Sequence, residues 1–242
     1  MSTLPQKPNN PKQPLHPWVQ EVLWALDGSG VPGDAVAMTA YMKGHFPFLG
    51  LKRPLRDVLA KPLFQRETLP TRDALELICS QLWELPEREY QMIALDLIRR
   101  HERRLVPDDA QWLATLICTK SWWDTVDFLA THGIGTLYQE YPDPLRPLIQ
   151  EWISSPNMWL NRTAIIAQVL RKGDLDLALM TDAIVPHMDS REFFLRKAIG
   201  WALRAASATN PKWVQQFVDE NRFALSGLSI REALRNLPSR QG

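Results

Sequence analysis

Apolar residues recur at helical spacing along nearly the whole chain. In RDALELICSQLWE (72–84), Leu75, Ile78, Cys79 and Leu82 fall three, one and three residues apart and so line one face of an amphipathic helix. No period-two alternation is sustained, and no Asn-Gly or Asp-Gly pair separates two apolar runs, so strands are not predicted. Nor does any apolar run approach the roughly 18 residues that span a bilayer, which argues against membrane insertion. After residue 70 the helices are short and separated by two to six residues of Pro, Asp, Ser or Gly.

These helices fall into a repeat. Second members of successive pairs are predicted to begin at Pro86, Ser121, Pro156 and Ser190, in steps of 35, 35 and 34 residues. First members are predicted near Arg72, Asp108, Asp143, Asp174 and Asn210, in steps of 36, 35, 31 and 36. Ser155-Pro156 supplies a cap with an N1 proline, and Ser190 is followed by Glu192 near a positive helix end. A period of this size without a strong consensus predicts an all-α fold, an α-solenoid of HEAT-like helix pairs in which each pair covers its neighbour's apolar face. An ordinary helical bundle is the competing architecture. Residues 17–63 read as helical but irregular, as an end-capping region would.

The chain of 242 residues is 45% hydrophobic, enough for a full core in one domain or two; we read a single domain over 17–237. MSTLPQKPNNPKQPLHP has no apolar h-region, so 1–16 is expected to be a disordered tail rather than a secretory signal, with a second short tail at 238–242. A cytoplasmic location, bacterial cytosol or nucleoid, and a monomer are expected. Cys79 and Cys118 lie in apolar helical runs and are expected to be buried thiols, and the five histidines are scattered without ligand spacing. Neither a metal nor a cofactor is expected.

Formal net charge is only +1, which excludes a bulk polycation and requires local segregation if a polyanion is to bind. Such segregation is present. The segment 156–172 carries Arg162, Arg171 and Lys172 without an acid, and 190–207 carries Arg191, Arg196, Lys197 and Arg204 against Glu192; the intervening 174–189 carries Asp174, Asp176, Asp182 and Asp189 without a base. In a two-layer solenoid these charges sort onto opposite faces, predicting a basic concave face suited to an extended polyanion and an acidic outer face. Solubility alone would be the other explanation of such charges.

Asp127, Arg162 and Lys197 are spaced 35 and 35 residues apart and so occupy equivalent positions on successive second helices. Trp123 lies one turn before Asp127, and Trp201 one turn after Lys197, followed by Arg204. A carboxylate, two cations and two indoles would then line one groove. On the helix from Ser121, Trp122, Val126 and Leu129 form the expected core stripe, with Trp123, Asp127 and Ala130 about 100° around the wheel.

The segments AYMKGHFPFLG (40–50), LWELPEREYQ (82–91), TKSWWDTVD (119–127), WLNRTAI (159–165) and EFFLRKAIGWALR (192–204) resemble the AlkD-like DNA alkylation repair family of HEAT-like-repeat DNA glycosylases. The resemblance runs from about residue 17 to 235. It implies that Asp127 is the catalytic aspartate, that Trp123, Trp201 and Tyr41 pack around the lesion nucleotide, and that Arg162 is essential near the backbone. Arg204 matches a basic residue of the DNA-facing surface, and Lys197 joins it there; a DNA role for Arg171 and Lys172 rests on their charge alone. The implied substrate is double-stranded DNA with cationic N3- or N7-alkylated purines, cleaved without base flipping. One carboxylate suits that chemistry, because a cationic purine leaves without a general acid while positive charge builds on the deoxyribose. A non-catalytic reader of bent or branched DNA and a protein-binding scaffold are the alternatives.

Overall fold

In a computed structural model, residues 14–171 and 173–237 are described, and every regular element among them is helical. Lys172 and most of both expected tails lie outside these residues. The chain divides into two compact units between Ile93 and Ala94.

The first unit holds α1 (Pro17–Leu26), α2 (Pro32–Tyr41), α3 (Arg53–Ala60), α4 (Leu75–Glu84) and the start of α5 (Arg88–His101). Proline opens α1 and α2 and enters the first turn of α3, where its missing N–H costs nothing. Val19, Val22 and Leu26 of α1 are buried with Ile78, Cys79 and Leu82 of α4, the face read from the sequence. Pro14 and His16, expected in the disordered tail, are held instead: Gln81 Nε2 donates to the Pro14 carbonyl (3.1 Å), and the His16 amide donates to Gln81 Oε1 (2.8 Å). A buried carboxylate organises the loop before α3. Glu89 accepts from the amides of Leu49, Gly50 and Leu51 at 2.9–3.0 Å. Gly50 has φ 89°, and a Cβ there would meet the Val31 carbonyl oxygen at 2.2 Å, so only glycine fits that close approach. In contrast, α2 buries none of its residues.

The second unit continues α5 into α6 (Asp109–Cys118), α7 (Trp123–Phe128), α8 (Gly135–Glu140), α9 (Pro142–Ile153), α10 (Met158–Ile166), α11 (Leu177–Ile184), α12 (Phe193–Ser207), α13 (Pro211–Glu220) and α14 (Gly227–Ala233). It is built as an α-solenoid of stacked pairs: α10 packs on α9 and α12, and α12 packs on α13 and α14. The second members α5, α7, α10 and α12 begin at residues 88, 123, 158 and 193, an even step of 35. Each start lies two or three residues beyond the predicted one, and the caps move with it. Asn157, not Ser155, caps α10 by accepting from the Trp159 amide (2.9 Å), while Ser155 Oγ takes the Asn157 amide. Likewise Ser190 Oγ accepts the Glu192 amide, and Glu192, the N-cap residue of α12, makes no side-chain cap bond.

Two buried amides show what the period means physically. Gln91 Nε2 donates to the carbonyls of Leu82, Trp83 and Leu85, and Asn161 Nδ2 to those of Trp152, Ile153 and Ser155, all offset by 70 residues. Each second helix thereby satisfies carbonyls left open at the end of its own first helix. A π-helical turn, Leu129–Ile134, joins α7 to α8 without a break. Gly135 follows it, where a Cβ would meet the Ala167 carbonyl oxygen at 2.3 Å, so the glycine lets this helix press against the end of α10.

Three expectations about burial change. Val126 and Leu129 are core, as is Ala130, which the helical wheel placed outside the stripe. Trp122 is half-buried at the N-cap of α7 rather than in the core, because the chain there is extended. Cys118 is exposed at the end of α6, whereas Cys79 is fully buried.

Candidate active site

Three consecutive second helices bring the central pair together. Arg162 Nε donates to Asp127 Oδ1 at 2.7 Å and its Nη2 to Oδ2 at 2.8 Å, a bidentate fork across 35 residues. The third arm, Nη1, donates to the carbonyl of Phe194 on α12 at 2.5 Å. Arg162 is thus held by α7 and α12 from its own place on α10, and its side chain is only 5% exposed against 22% for Asp127. The cation is sealed in while the carboxylate keeps an open edge. Each Asp127 oxygen uses one acceptor position on Arg162 and retains another.

An aromatic wall stands beside the pair. The Trp122 ring meets Phe194 edge-on at 5.1 Å and Trp159 at 6.0 Å, Trp159 meets Phe194 at 4.9 Å, and the Arg162 guanidinium lies 5.8 Å from the Phe194 ring. These rings come from the first turns of α10 and α12 and the N-cap of α7. Their meeting explains why Trp122 is not in the core. Trp123, one turn before Asp127, is half-buried.

The 35-residue ladder continues to a rung absent from the sequence reading. Lys197 Nζ donates to Glu232 Oε1 at 2.8 Å, and Arg204 donates to Glu232 Oε2. Residues 127, 162, 197 and 232 therefore form two ion pairs of opposite polarity, Asp127–Arg162 and Lys197–Glu232. The Lys197 hydrogen bond, aided by the charges of Lys197, Arg204 and Arg235, holds the Glu232 carboxyl below its ordinary range against the opposing effect of burial. Trp201 is half-buried, one turn from both cations, and lines a cavity of about 380 Å³ with Arg171, Arg204, Val169, Ala205 and Asn236. Arg171 lies 5.4 Å from the Tyr138 ring, and Tyr138 donates to Asp176, which also pairs with Arg146 and caps α11.

Much of the charge counted along the chain is therefore spent internally. Arg162, Lys197 and Arg204 have carboxylate partners, and Asp176 has a cation, while Asp174, Asp182 and Asp189 stay exposed. Tyr41 belongs to the first unit, where it is 67% exposed at the end of α2 beside a cavity of about 330 Å³ shared with Met38, Met42, Phe48 and Met92. Sequence reasoning missed Phe194 and Glu232. Glu232 was findable as the residue 35 beyond Lys197, whereas the role of Phe194 runs through its carbonyl, which carries no sequence signal. Among the described residues no three His, Cys, Asp or Glu side chains are grouped to hold a metal ion. No described helix is long and apolar enough to cross a membrane.

Comparison with known proteins identifies the family. Residues 22–237 match the family described as DNA alkylation repair enzyme. A solved structure described as a predicted DNA alkylation repair enzyme from Enterococcus faecalis is 31% identical, with a TM-score of 0.78, over 87% of this chain and 97% of that one. No curated protein matches. With the match covering nearly all of both units, the chain belongs to the DNA alkylation repair enzyme family.

Proposed function

We propose that the protein is a monofunctional DNA glycosylase that removes cationic N3- and N7-alkylated purines from duplex DNA as a monomer, leaving an abasic site. The observation that carries this reading is the Asp127–Arg162 fork: one carboxylate, gripped by a buried guanidinium, with an open edge and unused acceptor positions. In hydrolysis the C1′–N bond breaks with its electron pair passing to the purine, whose positive charge is cancelled. The deoxyribose then carries the charge, and Asp127 faces it. A water held on Asp127 adds its oxygen to C1′ and gives up a proton to the carboxylate or to solvent. No acid is needed at the leaving group, so a second carboxylate is dispensable.

Arg162 is the positioning residue for Asp127. Trp123 and Trp201 are assigned to pack around the lesion nucleotide, their ring faces favouring the cationic base and sugar; Tyr41, in the first unit, keeps that assignment from the resemblance alone. Lys197, Arg204, Arg171 and Lys172 are assigned to the DNA backbone on a basic, concave surface. The lesion is cleaved without being flipped into an enclosing pocket, and neutral lesions are poor substrates because they lack the charge that activates the leaving group.

The test is base release from a duplex carrying one N7-methylguanine under single-turnover conditions at neutral pH. Release by the wild type that falls by about two or more orders of magnitude in Asp127→Asn, with DNA binding kept, is expected. No release by either protein, with tight binding retained, would make the chain a non-catalytic reader of DNA structure. Release of uracil at rates rivalling N7-methylguanine would refute the proposed selectivity.

A further inference from the structure

Glu232 is flanked by two cations of a single helix. Its two oxygens are taken by two cations from one face of α12, Lys197 and Arg204, seven residues apart, with Trp201 between them on the same stripe. The arrangement is built rather than incidental. Gly200 sits at the centre of that stripe, and a Cβ there would lie 2.5 Å from Glu232 Cβ, so the glycine is what admits α14 close enough. Ser229, one turn before Glu232, locks the approach by donating to the Arg196 carbonyl at 2.9 Å. Glu232 is the more covered member at 17% exposure, against 38% for Lys197 and 25% for Arg204. Both cations have donors beyond the ones they place on the carboxylate, and Arg235 is a further charge that acts on it.

Two basic groups converging on one planar oxyanion reproduce what a phosphodiester requires. We propose that Lys197 and Arg204 form a single phosphate site beside Trp201, and that Glu232 is its resident anion, occupying the cations in the free protein and yielding them to a DNA phosphate on binding. The inference rests on the DNA-glycosylase reading above and adds regulation to it: the carboxylate opposes binding to any backbone phosphate, so undamaged DNA is held loosely. Because Glu232 is held charged below the ordinary carboxylate range, the opposition operates throughout neutral pH.

The experiment measures binding of full-length protein to an undamaged duplex across about 50 to 200 mM salt, for wild type, Glu232→Gln and the double variant Glu232→Gln with Lys197→Gln. Circular dichroism checks the fold of each. Glu232→Gln is expected to bind about three- to tenfold more tightly at the low-salt end, with a salt slope steeper by up to about one unit, as one more cation becomes available to phosphate. The double variant is expected to return towards wild-type affinity. Equal or weaker binding by folded Glu232→Gln, or tighter binding that Lys197→Gln does not reverse, would overturn the proposal. Base release by the wild type is scored separately, so that failure of the glycosylase reading shows as absent excision and failure of this proposal as an unmoved salt slope.

Discussion

Replacing Asp127 by Asn is expected to destabilise the protein as well as silence it. Arg162 is buried, with two of its three hydrogen-bonded arms on Asp127 and the third on the Phe194 carbonyl. Asparagine keeps one acceptor but turns an amide group toward a guanidinium, and it removes the charge that compensates a cation only 5% exposed. Breaking a fully buried pair costs about 3–5 kcal/mol. Asp127 is 22% exposed, so water recovers part of that, and one charge-assisted bond becomes a neutral one, which brings the expectation to about 2–3 kcal/mol. For a chain of this size the loss corresponds to a fall of about 4–12 °C in Tm. Urea denaturation of Asp127→Asn, Arg162→Gln and the double variant gives the coupling directly, and it is expected to exceed about 1 kcal/mol. If Asp127→Asn lies within about 0.5 kcal/mol of wild type, or the two single effects simply add, the fork is not formed in solution and the argument that Arg162 holds Asp127 falls. Excision by this variant should be assayed well below its lowered midpoint, so that lost chemistry is not confused with lost fold.

Further outcomes follow from the same contacts. Gly135→Ala puts a Cβ against the Ala167 carbonyl oxygen, and backbone cannot rotate away as a side chain would; a loss of about 2–4 kcal/mol is expected, read by thermal denaturation. Asn161→Ala strips three carbonyls at the end of α9 of their donor and is expected to cost about 1–3 kcal/mol in urea. Excision measured below the midpoint should change little, since Asn161 touches no proposed catalytic group. Glu232 has its carboxyl pKa lowered in the folded state, chiefly by the Lys197 hydrogen bond. Its contribution is therefore complete above the ordinary Glu value of about 4.3 and lost as pH falls through the lower folded value. The stability advantage of wild type over Glu232→Gln should shrink below about pH 4 and be flat at neutral pH, as urea midpoints across that range will report.

The all-α class, the paired helices and the 35-residue register were legible in the chain because they rest on local information: apolar spacing, helix-start residues and the turns between them. That register also placed Asp127 and Arg162 at equivalent positions on neighbouring helices, and the structure joins them. Caps were legible only to within two or three residues, since Ser155 and Asn157 are both competent and backbone dihedrals choose between them. What tertiary structure alone decided is how far each charge is spent. The charge count over 156–172 and 190–207 left Arg162, Lys197 and Arg204 unneutralised by Asp127 and Glu232, because pairing depends on side chains from different helices coming within about 3 Å. The same holds for Trp122, drawn from the expected core into a wall with Trp159 and Phe194, and for Cys118, which helical periodicity buried and the helix end exposed. Periodicity reports which face of a helix turns inward; only the packed neighbours determine which groups meet there.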